Sequence, residues 1–300
     1  MSPVKLGIYI ALGLVSITFV AVWVAAVRNA RRTLPASDPA VQRGWPDLYE
    51  ITIGAVVNFF DTLGIGSFAP TTAAYKFFEV VPDRIIPGTL NVGGALAIAL
   101  QASIFMAIIQ VDVRTLALMI TAAVVGAWLG AGVVAGLPKR SVQVGMGIAL
   151  LVAAVLMVMA QFGLFPAGGE ALALSGPLLV AAILGNLILG AFMTLGIGMY
   201  APCMIMVSLM GLDPRAAFPI MMGSCAFLMP VAGMRFVRKD SYALRPSLGL
   251  LLGGIPGVLA AAFIVGSLPL TAIRWLVVIV VTYAAISMLL SARRPASAGT

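Results

Sequence analysis

Residues 62–70 read TLGIGSFAP, and residues 194–202 read TLGIGMYAP. The offset of 132 residues persists downstream, where Pro82 matches Pro214 and Pro87 matches Pro219. Ten of the 28 positions from 60 to 87 are identical to their partners. An internal repeat of this kind sets the architecture of a chain. Each copy places two glycines and a proline inside a long apolar run, a combination that interrupts a membrane helix.

The composition is that of an integral membrane protein. Of the 300 residues, 62% are hydrophobic and 9% are charged, whereas about a quarter of the residues of a soluble domain are charged. Nine apolar runs reach or approach the ~20 residues that a helix needs to cross a bilayer. They are residues 6–27, 51–78, 85–111, 115–137, 142–165, 171–210, 216–234, 247–270 and 272–292. We predict an all-α integral membrane protein without a soluble domain.

Several classes of function are disfavoured by what the sequence lacks. The net charge of +8 comes from basic residues in short loops, which is a topology signal of membrane proteins rather than a nucleic-acid patch. There is no histidine and no P-loop motif, so the commonest metal ligand and an ATPase signature are both missing. Cys203 and Cys225 stand in apolar surroundings that favour packing over a disulfide. We expect no cofactor, no metal, no nucleic-acid partner and no enzymatic activity.

The first apolar run predicts a membrane helix of its own. Residues 6–27 are too long for the apolar part of a signal peptide, and their positive charges follow the run instead of preceding it. This pattern predicts an uncleaved helix with its N-terminus outside. Residues 33–49 contain three prolines and predict a cytoplasmic linker.

The two repeated segments are either kinked single spans or re-entrant hairpins. If both are hairpins and the other seven runs cross, the 18 Lys and Arg residues divide into 14 inside and 4 outside. If both cross instead, the division is 11 to 7. The positive-inside rule therefore favours two hairpins. One hairpin and three spans make an odd number of crossings, so the second unit has the opposite orientation, as in the inverted repeats of secondary transporters.

This reading divides the chain into four parts. Residues 1–49 form the N-terminal transmembrane helix and its cytoplasmic linker, and residues 50–165 form the first repeat. Residues 171–292 form the second repeat, and residues 293–300 form a cytoplasmic tail. Each repeat is predicted to contain a broken or re-entrant helical hairpin and three transmembrane helices.

The duplicated Gly-x-Gly-x-x-x-Pro signature resembles that of the sulfite exporter TauE/SafE family over about residues 50–292. The paired prolines and the sequence VDVR at residues 111–114 carry the same resemblance. It implies a small transporter in the bacterial inner membrane that exports sulfite or an organosulfonate such as sulfoacetate. Ser67 and Met199 stand where many members have a further glycine, and the helix at 6–27 is additional to the usual core. These departures leave the substrate open.

The repeated stretch also predicts an anion site. A helix is expected to begin at Pro70, since proline suits the first helical position, and the amides of the next two residues would lack an intrahelical partner. They would lie at the positive end of the helix dipole, and the second copy would present a similar end. Two such ends meeting at mid-membrane would bind an anion without a charged side chain. The residues assigned to this site are Gly64, Gly66, Ser67, Pro70, Thr71, Thr72, Gly196, Gly198, Tyr200, Pro202, Cys203 and Met204. The alternative is that the glycines only permit close packing.

Polar residues near or inside apolar runs form a second class of candidates. Asn58, Asn91, Gln101, Ser224 and Arg235 are candidate substrate-binding residues, although a structural hydrogen bond to a neighbouring helix explains each equally well. Asp61 has three interpretations: it carries a coupling proton, it caps the hairpin, or it pairs with a basic residue.

The leading functional hypothesis is a secondary transporter that exports a small sulfur-containing anion. The alternative within transport is an uptake permease for sulfate, thiosulfate or a small carboxylate. A membrane-embedded enzyme or a scaffold is less favoured, because the sequence has no histidine and its acidic residues are scattered. The expected partners are a small anionic substrate and the lipid bilayer, and a homo-oligomer is compatible with the sequence.

Overall fold

A computed structural model describes residues 3–42, 44–134, 136–164, 169–196 and 198–264, together with scattered positions between 275 and 293. Within these residues the regular structure is helical, apart from one isolated β-bridge between Ala171 and Leu212. The described α-helices are α1 (Pro3–Thr33), α2 (Leu48–Thr62), α3 (Phe68–Phe77), α4 (Ile86–Ile108), α5 (Val113–Val134), α6 (Lys139–Gln161), α7 (Gly176–Met193), α8 (Tyr200–Leu209), α9 (Ala217–Arg238) and α10 (Leu244–Ile264). Short 3₁₀ turns, Asp83–Ile85 and Pro214–Ala216, precede α4 and α9.

Seven of the described helices are long and apolar enough to cross a membrane, namely α1, α4, α5, α6, α7, α9 and α10. This finding agrees with the prediction of an all-helical, multi-pass membrane protein. Helix α1 has 31 residues and is longer than the predicted run 6–27. The predicted helix 272–292 and the predicted tail 293–300 lie outside the continuously described residues.

Each repeated segment contains two helices separated by its signature. Helices α2 and α3 flank residues 63–67, and α7 and α8 flank residues 194–199. Gly64 and Gly66 have φ angles of 84° and 90°, and Gly196 has a φ of 90°. Residues with a side chain rarely adopt these left-handed backbone conformations, so glycines stand where both helices break.

The predicted helix starts at Pro70 and Pro202 are wrong by two residues. Helix α3 begins at Phe68 and α8 begins at Tyr200, so each proline is the third residue of its helix. The amide of a third helical residue has no intrahelical partner in any case. A proline, which lacks that N–H, therefore disrupts no bond there.

Corresponding helices of the two repeats pack against each other in opposite directions. Helix α4 lies along α9, with Gly88 against Ser241 near one end and Met106 against Gly223 towards the other. Residue numbers increase along α4 while those of the contacting residues decrease along α9. The matching helices α4 and α9 are therefore antiparallel.

The other main helix contacts also join a helix of one repeat to a helix of the other. Helix α10 packs on α2, and α5 packs on α7. Gly257 faces the backbone carbonyl of Ala55, and Gly126 faces that of Leu187. These two contacts correspond under the repeat offset of 131–132 residues, so both halves use the same glycine-to-backbone contact.

Both ends of the first broken segment lie beside the start of α10. Asp47, just before α2, forms an ion pair with Arg245, in which the guanidinium nitrogen and the carboxylate oxygen are 2.7 Å apart. Near the end of α3, the Tyr75 hydroxyl donates to the carbonyl oxygen of Pro246 at 3.2 Å. The chain thus leaves and returns at the same end of the bundle.

The two ends of the second broken segment also lie close together, at a different part of the bundle. Ala171, before α7, bridges to Leu212, after α8. The Asp112 amide, just before α5, donates to the Leu172 carbonyl at 2.8 Å. Both ends of this segment are therefore close to the turn between α4 and α5.

The two broken segments enter the bundle at opposite ends of α4. The start of α4 lies beside the start of α10, because the Ala243 amide donates to the Thr89 hydroxyl at 3.0 Å. The end of α4 leads directly to Asp112 and thus to the second segment. The breaks at residues 63–67 and 194–199 meet between these ends.

The predicted linker at 33–49 is attached to the bundle. The Leu244 amide donates to the Pro39 carbonyl at 2.8 Å, and the Tyr242 hydroxyl donates to that of Ala40 at 3.3 Å. The Trp23 indole N–H of α1 donates to the same tyrosine hydroxyl at 3.2 Å. Helix α1 and the linker therefore pack beside α9 and α10.

Candidate functional site

The two helix breaks are joined through one carboxylate. Asp61, in the last turn of α2, is 2% exposed. Its Oδ1 accepts a hydrogen bond from the Ser67 amide, and its Oδ2 accepts one from the Tyr200 hydroxyl at 2.8 Å. Gln101 of α4 donates its Nε2 to the Tyr200 hydroxyl at 3.1 Å. A side chain of the first repeat thus binds the first residue of α8 in the second.

A narrow cavity lies where the breaks meet. The space open to the centre of a water molecule is about 10 Å³, which is enough for about one water. Eight of the lining residues form four pairs related by the repeat: Asp61 and Met193, Gly66 and Gly198, Ser67 and Met199, and Phe68 and Tyr200. The cavity is therefore built from matching positions of the two signatures.

The cavity wall combines polar and sulfur-containing side chains. Asp61, Ser67 and Tyr200 supply the polar groups. Met193, Met199, Met229 and Cys225 supply sulfur atoms, and those of Cys225 and Met193 are 3.5 Å apart. Thioethers are adaptable packing groups. Matching positions of the two signatures therefore contribute chemically different side chains to one cavity.

The backbone is accessible at both signatures. A Cβ atom at Gly66 would meet no other atom within 4 Å, and one at Gly198 would have the Cβ of Phe68 as its nearest neighbour, at 3.8 Å. Neither glycine is therefore required by tight packing at its own Cβ position. Gly64 and Gly196 do have close neighbours, Phe218 and Met146, and the approach of a ligand to the backbone at Gly66 and Gly198 stays a prediction.

The predicted donor amides are wrong in one respect. The Thr71 amide donates to Ser67 O and the Cys203 amide to Met199 O, both at 2.9 Å. Because the helices begin two residues earlier than predicted, the unpaired amides of α3 are those of Phe68 and Ala69. Neither forms a backbone hydrogen bond outside α3 in the part of the chain that the structure describes.

The two threonines of α3 have different roles. The Thr71 hydroxyl donates to the Ser67 carbonyl at 2.6 Å, so it is already used within its own helix. The Thr72 hydroxyl is buried without a hydrogen-bond partner among the described residues. It lies 4.0 Å from where a Cβ of Gly196 would stand. An unpartnered buried hydroxyl next to the second signature is a candidate ligand group.

We expect Thr72→Val to weaken anion binding and Thr71→Val to have little effect on it. Removal of a hydrogen bond to a charged ligand costs about 1.5–3 kcal/mol, equal to about a ten- to hundredfold loss of affinity. Isothermal titration of the purified variants with sulfoacetate measures this difference. Equal affinities of the two variants would exclude the Thr72 hydroxyl as a ligand group.

The remaining predicted tip residues flank the cavity without lining it. Gly64 packs against Phe218, and Gly196 packs against Met146. Cys203 is buried on α8. Half-buried positions are occupied by Pro70, Pro202 and Met204. Of the twelve predicted tip residues, the structure brings Gly66, Ser67, Gly198 and Tyr200 into the cavity wall.

The polar candidates inside the helices mostly make structural hydrogen bonds. The side-chain amides of Asn58 and Asn91 donate to carbonyls four residues earlier, at 2.9 and 2.8 Å. The Ser224 hydroxyl accepts a hydrogen bond from Asn186 at 2.9 Å. In this group only Gln101 contacts the tips.

The expectation that Arg235 reaches the site is wrong. Its guanidinium carbon lies 4.2 Å from the centroid of the Trp128 ring, and its Nη1 donates to the Trp128 carbonyl. Arginine is attracted to the face of a tryptophan ring, and here the ring belongs to α5. Arg235 thus joins α9 to α5 and does not line the cavity.

Among the three interpretations of Asp61, the structure shows that it caps the break. It accepts the Ser67 amide, and no basic residue pairs with it in the described part of the chain. Six cavity residues were not predicted as site residues, namely Phe68, Ile98, Met193, Met199, Met229 and Cys225. The repeat offset was a usable signal for three of them, because Met193 corresponds to Asp61, Phe68 to Tyr200 and Met199 to Ser67.

Comparison of the chain with protein-family models, with curated proteins and with solved structures finds no match. The function is therefore inferred from the geometry of the cavity and from the sequence of the two signatures.

Proposed function

We propose that the chain is a secondary transporter that exports small sulfur-containing anions, such as sulfite or sulfoacetate, and binds them between the two signatures. The observation that carries this proposal is the cavity at the two helix breaks, which is lined by four pairs of repeat-related residues. The resemblance of the signatures to the sulfite exporter TauE/SafE family supplies the substrate class. In that family the chain would act in the bacterial inner membrane.

An inverted repeat accounts for the arrangement of the helices. The matching helices α4 and α9 are antiparallel, and the broken segments enter at opposite ends of α4. Two re-entrant hairpins from opposite membrane faces would have these contacts. Inverted repeats with broken helices at a central site are typical of secondary transporters.

The charge distribution supports a cytoplasmic location for one end of the bundle. The end that contains the starts of α2 and α10 carries Arg31, Lys76, Arg84, Lys239 and Arg245 among its basic residues. The opposite end carries Lys5, Arg114 and Arg215. Positive residues concentrate on the cytoplasmic side. An inside-negative potential then favours anion exit by about 2.3 kcal/mol per charge for each 100 mV.

The conformation described here is closed around the site. A cavity with room for about one water is too small for an anion of several heavy atoms. We infer that the tips separate when substrate enters, and that the glycines at the breaks provide the change in backbone angles. Such opening and closing is the usual gating motion of a ligand site.

Uptake is the second candidate function, because a buried carboxylate stands at the cavity. Asp61 offers a group that could carry a proton together with the anion, and a proton gradient directed inward would then favour entry. The family resemblance favours export. A flux measurement in liposomes of known orientation separates the two directions.

Purified protein in liposomes of known orientation tests the proposed function. We expect saturable flux of sulfite and sulfoacetate, and little flux of taurine, because its ammonium group cancels the charge of its sulfonate. An inside-negative potential should accelerate the exit of sulfoacetate, because its sulfonate and its carboxylate give it two negative charges. Flux of carboxylates alone would contradict the substrate class, and the absence of flux for every anion would contradict the transport function.

A further inference from the structure

We propose that the Asp61 carboxylate occupies the hydrogen-bond donors that the substrate anion uses, and that a proton on Asp61 exchanges the carboxylate for the anion. This inference rests on the proposed function, since it concerns the same cavity. In this mechanism, protonation of Asp61 releases the Ser67 amide or the Tyr200 hydroxyl, which then binds the anion.

The first observation is the position of the carboxylate. Its Oδ1 accepts the Ser67 amide at the first break, and its Oδ2 accepts the Tyr200 hydroxyl at 2.8 Å. Both donor residues line the cavity, as does Asp61 itself. The carboxylate is therefore bound by one donor from each signature, as a free oxyanion at this point would be.

The second observation is the set of groups that face Asp61. From α8 it faces Tyr200, and from α4 it faces the side-chain amide of Gln101, which bonds to both residues. From α9 the titratable group is Cys225. From the break before α3 it faces the amide and the side chain of Ser67. None of these groups is a cation, and no basic residue of the described chain pairs with the carboxylate.

The third observation is that the arrangement occurs in only one repeat. The positions that correspond to Asp61 and Tyr200 are Met193 and Phe68, and these four residues share the cavity. The matching pair has no hydrogen-bonding capacity beyond a weak thioether acceptor. The fold therefore does not need a carboxylate and a hydroxyl at this contact.

These observations make anion binding and ionisation of Asp61 mutually exclusive. Two negative charges in a cavity of this size repel each other without an intervening cation, so one group must take up a proton. A protonated carboxyl no longer needs both donors, and it can itself donate a hydrogen bond. Protonation thus frees the Ser67 amide or the Tyr200 hydroxyl for the anion and adds a third donor.

The mechanism predicts that each bound anion is accompanied by one proton. Above the pH at which Asp61 ionises, the affinity for a singly charged anion should fall about tenfold per pH unit, since binding then takes up a proton. Methanesulfonate is a suitable probe, because a sulfonate is the anion of a strong acid and keeps its single charge while carboxyl groups titrate.

Isothermal titration of full-length protein with methanesulfonate, in buffers of different ionisation enthalpy, measures both the pH slope and the proton uptake. In wild type we expect the tenfold slope and the uptake of about one proton per anion. Asp61→Asn should bind with little pH dependence and without proton uptake, because its amide resembles the protonated acid. Asp112→Asn is the matched control, since Asp112 caps α5 through Thr115, and it should retain the wild-type slope.

Tyr200→Phe provides a second variant, and phenylalanine is already present at the corresponding position 68. We expect it to weaken methanesulfonate binding by about tenfold or more, as for the loss of one hydrogen bond to a charged group. The pH slope should remain, because Asp61 is still present. An unchanged affinity would overturn the assignment of this hydroxyl as a shared donor.

The outcomes separate the inference from the proposed function. A wild-type affinity independent of pH, or a slope that persists in Asp61→Asn, would overturn the inference while leaving sulfonate binding intact. If nitrate binds with proton uptake and methanesulfonate does not, the substrate class fails and the role of Asp61 stands. If neither anion binds wild type or Asp61→Asn at any pH, the tips are not an anion site and both proposals fail.

Discussion

Replacement of Gly198 with valine is expected to reduce anion transport at least about a hundredfold, equal to about 2.7 kcal/mol, without unfolding the protein. The atom nearest to a Cβ added at Gly198 is the Cβ of Phe68, 3.8 Å away. The packing at this position therefore leaves room for a side-chain carbon. The two methyl groups of valine would then occupy a cavity that has room for about one water, which excludes the anion.

Gly13→Val is the matched control for this prediction. Gly13 lies on α1, and a Cβ there would meet nothing within 4 Å. Flux in liposomes and the thermal unfolding of both variants measure the two effects separately. Gly66→Val should also block transport, but the φ of 90° at Gly66 adds backbone strain. Normal flux through Gly198→Val would contradict a site between the tips.

Replacement of Gly126 or Gly257 with leucine is expected to destabilise the fold by about 3 kcal/mol or more. A Cβ at Gly126 would overlap the carbonyl of Leu187, and one at Gly257 would overlap that of Ala55. These neighbours are backbone atoms and cannot move aside by a rotamer change. The helices α5 and α7, or α2 and α10, would have to separate.

The melting temperature in detergent measures this effect, and we expect a decrease of at least about 6 °C. Gly13→Leu should leave it unchanged within about 1 °C, because that position has no neighbouring atoms to displace. A small effect at Gly126 together with a large one at Gly257 would contradict the equivalence of the two contacts.

The sequence predicted most of the helices, because hydropathy reports directly on the helices of a membrane protein. The apolar runs 85–111 and 216–234 correspond to α4 and α9. The two repeated stretches correctly marked where the helices break, since Gly64, Gly66 and Gly196 have conformations that favour glycine. The helix starts were misplaced because proline is accepted at any of the first three positions of a helix.

The site was predicted less completely than the fold. The repeat brought Gly66, Ser67, Gly198 and Tyr200 into the list of candidates, and all four line the cavity. The partners of polar groups depend on tertiary packing, which the sequence does not show. Arg235 stacks on a tryptophan that is 107 residues away, and Thr71 bonds within its own helix. For the same reason, the contact between Asp61 and Tyr200, 139 residues apart, could not be read from either signature alone.

We expect an oxyanion to bind between the two helix breaks. The most direct test is a crystal structure with selenite, a sulfite analogue whose selenium is located by anomalous scattering, at a pH low enough to protonate Asp61. We predict a selenium peak between Gly66 and Gly198, with selenite oxygens within hydrogen-bond distance of the Ser67 amide and the Tyr200 hydroxyl. A peak at Arg235 or at Arg215 instead, with the cavity between the breaks unchanged, would contradict the account.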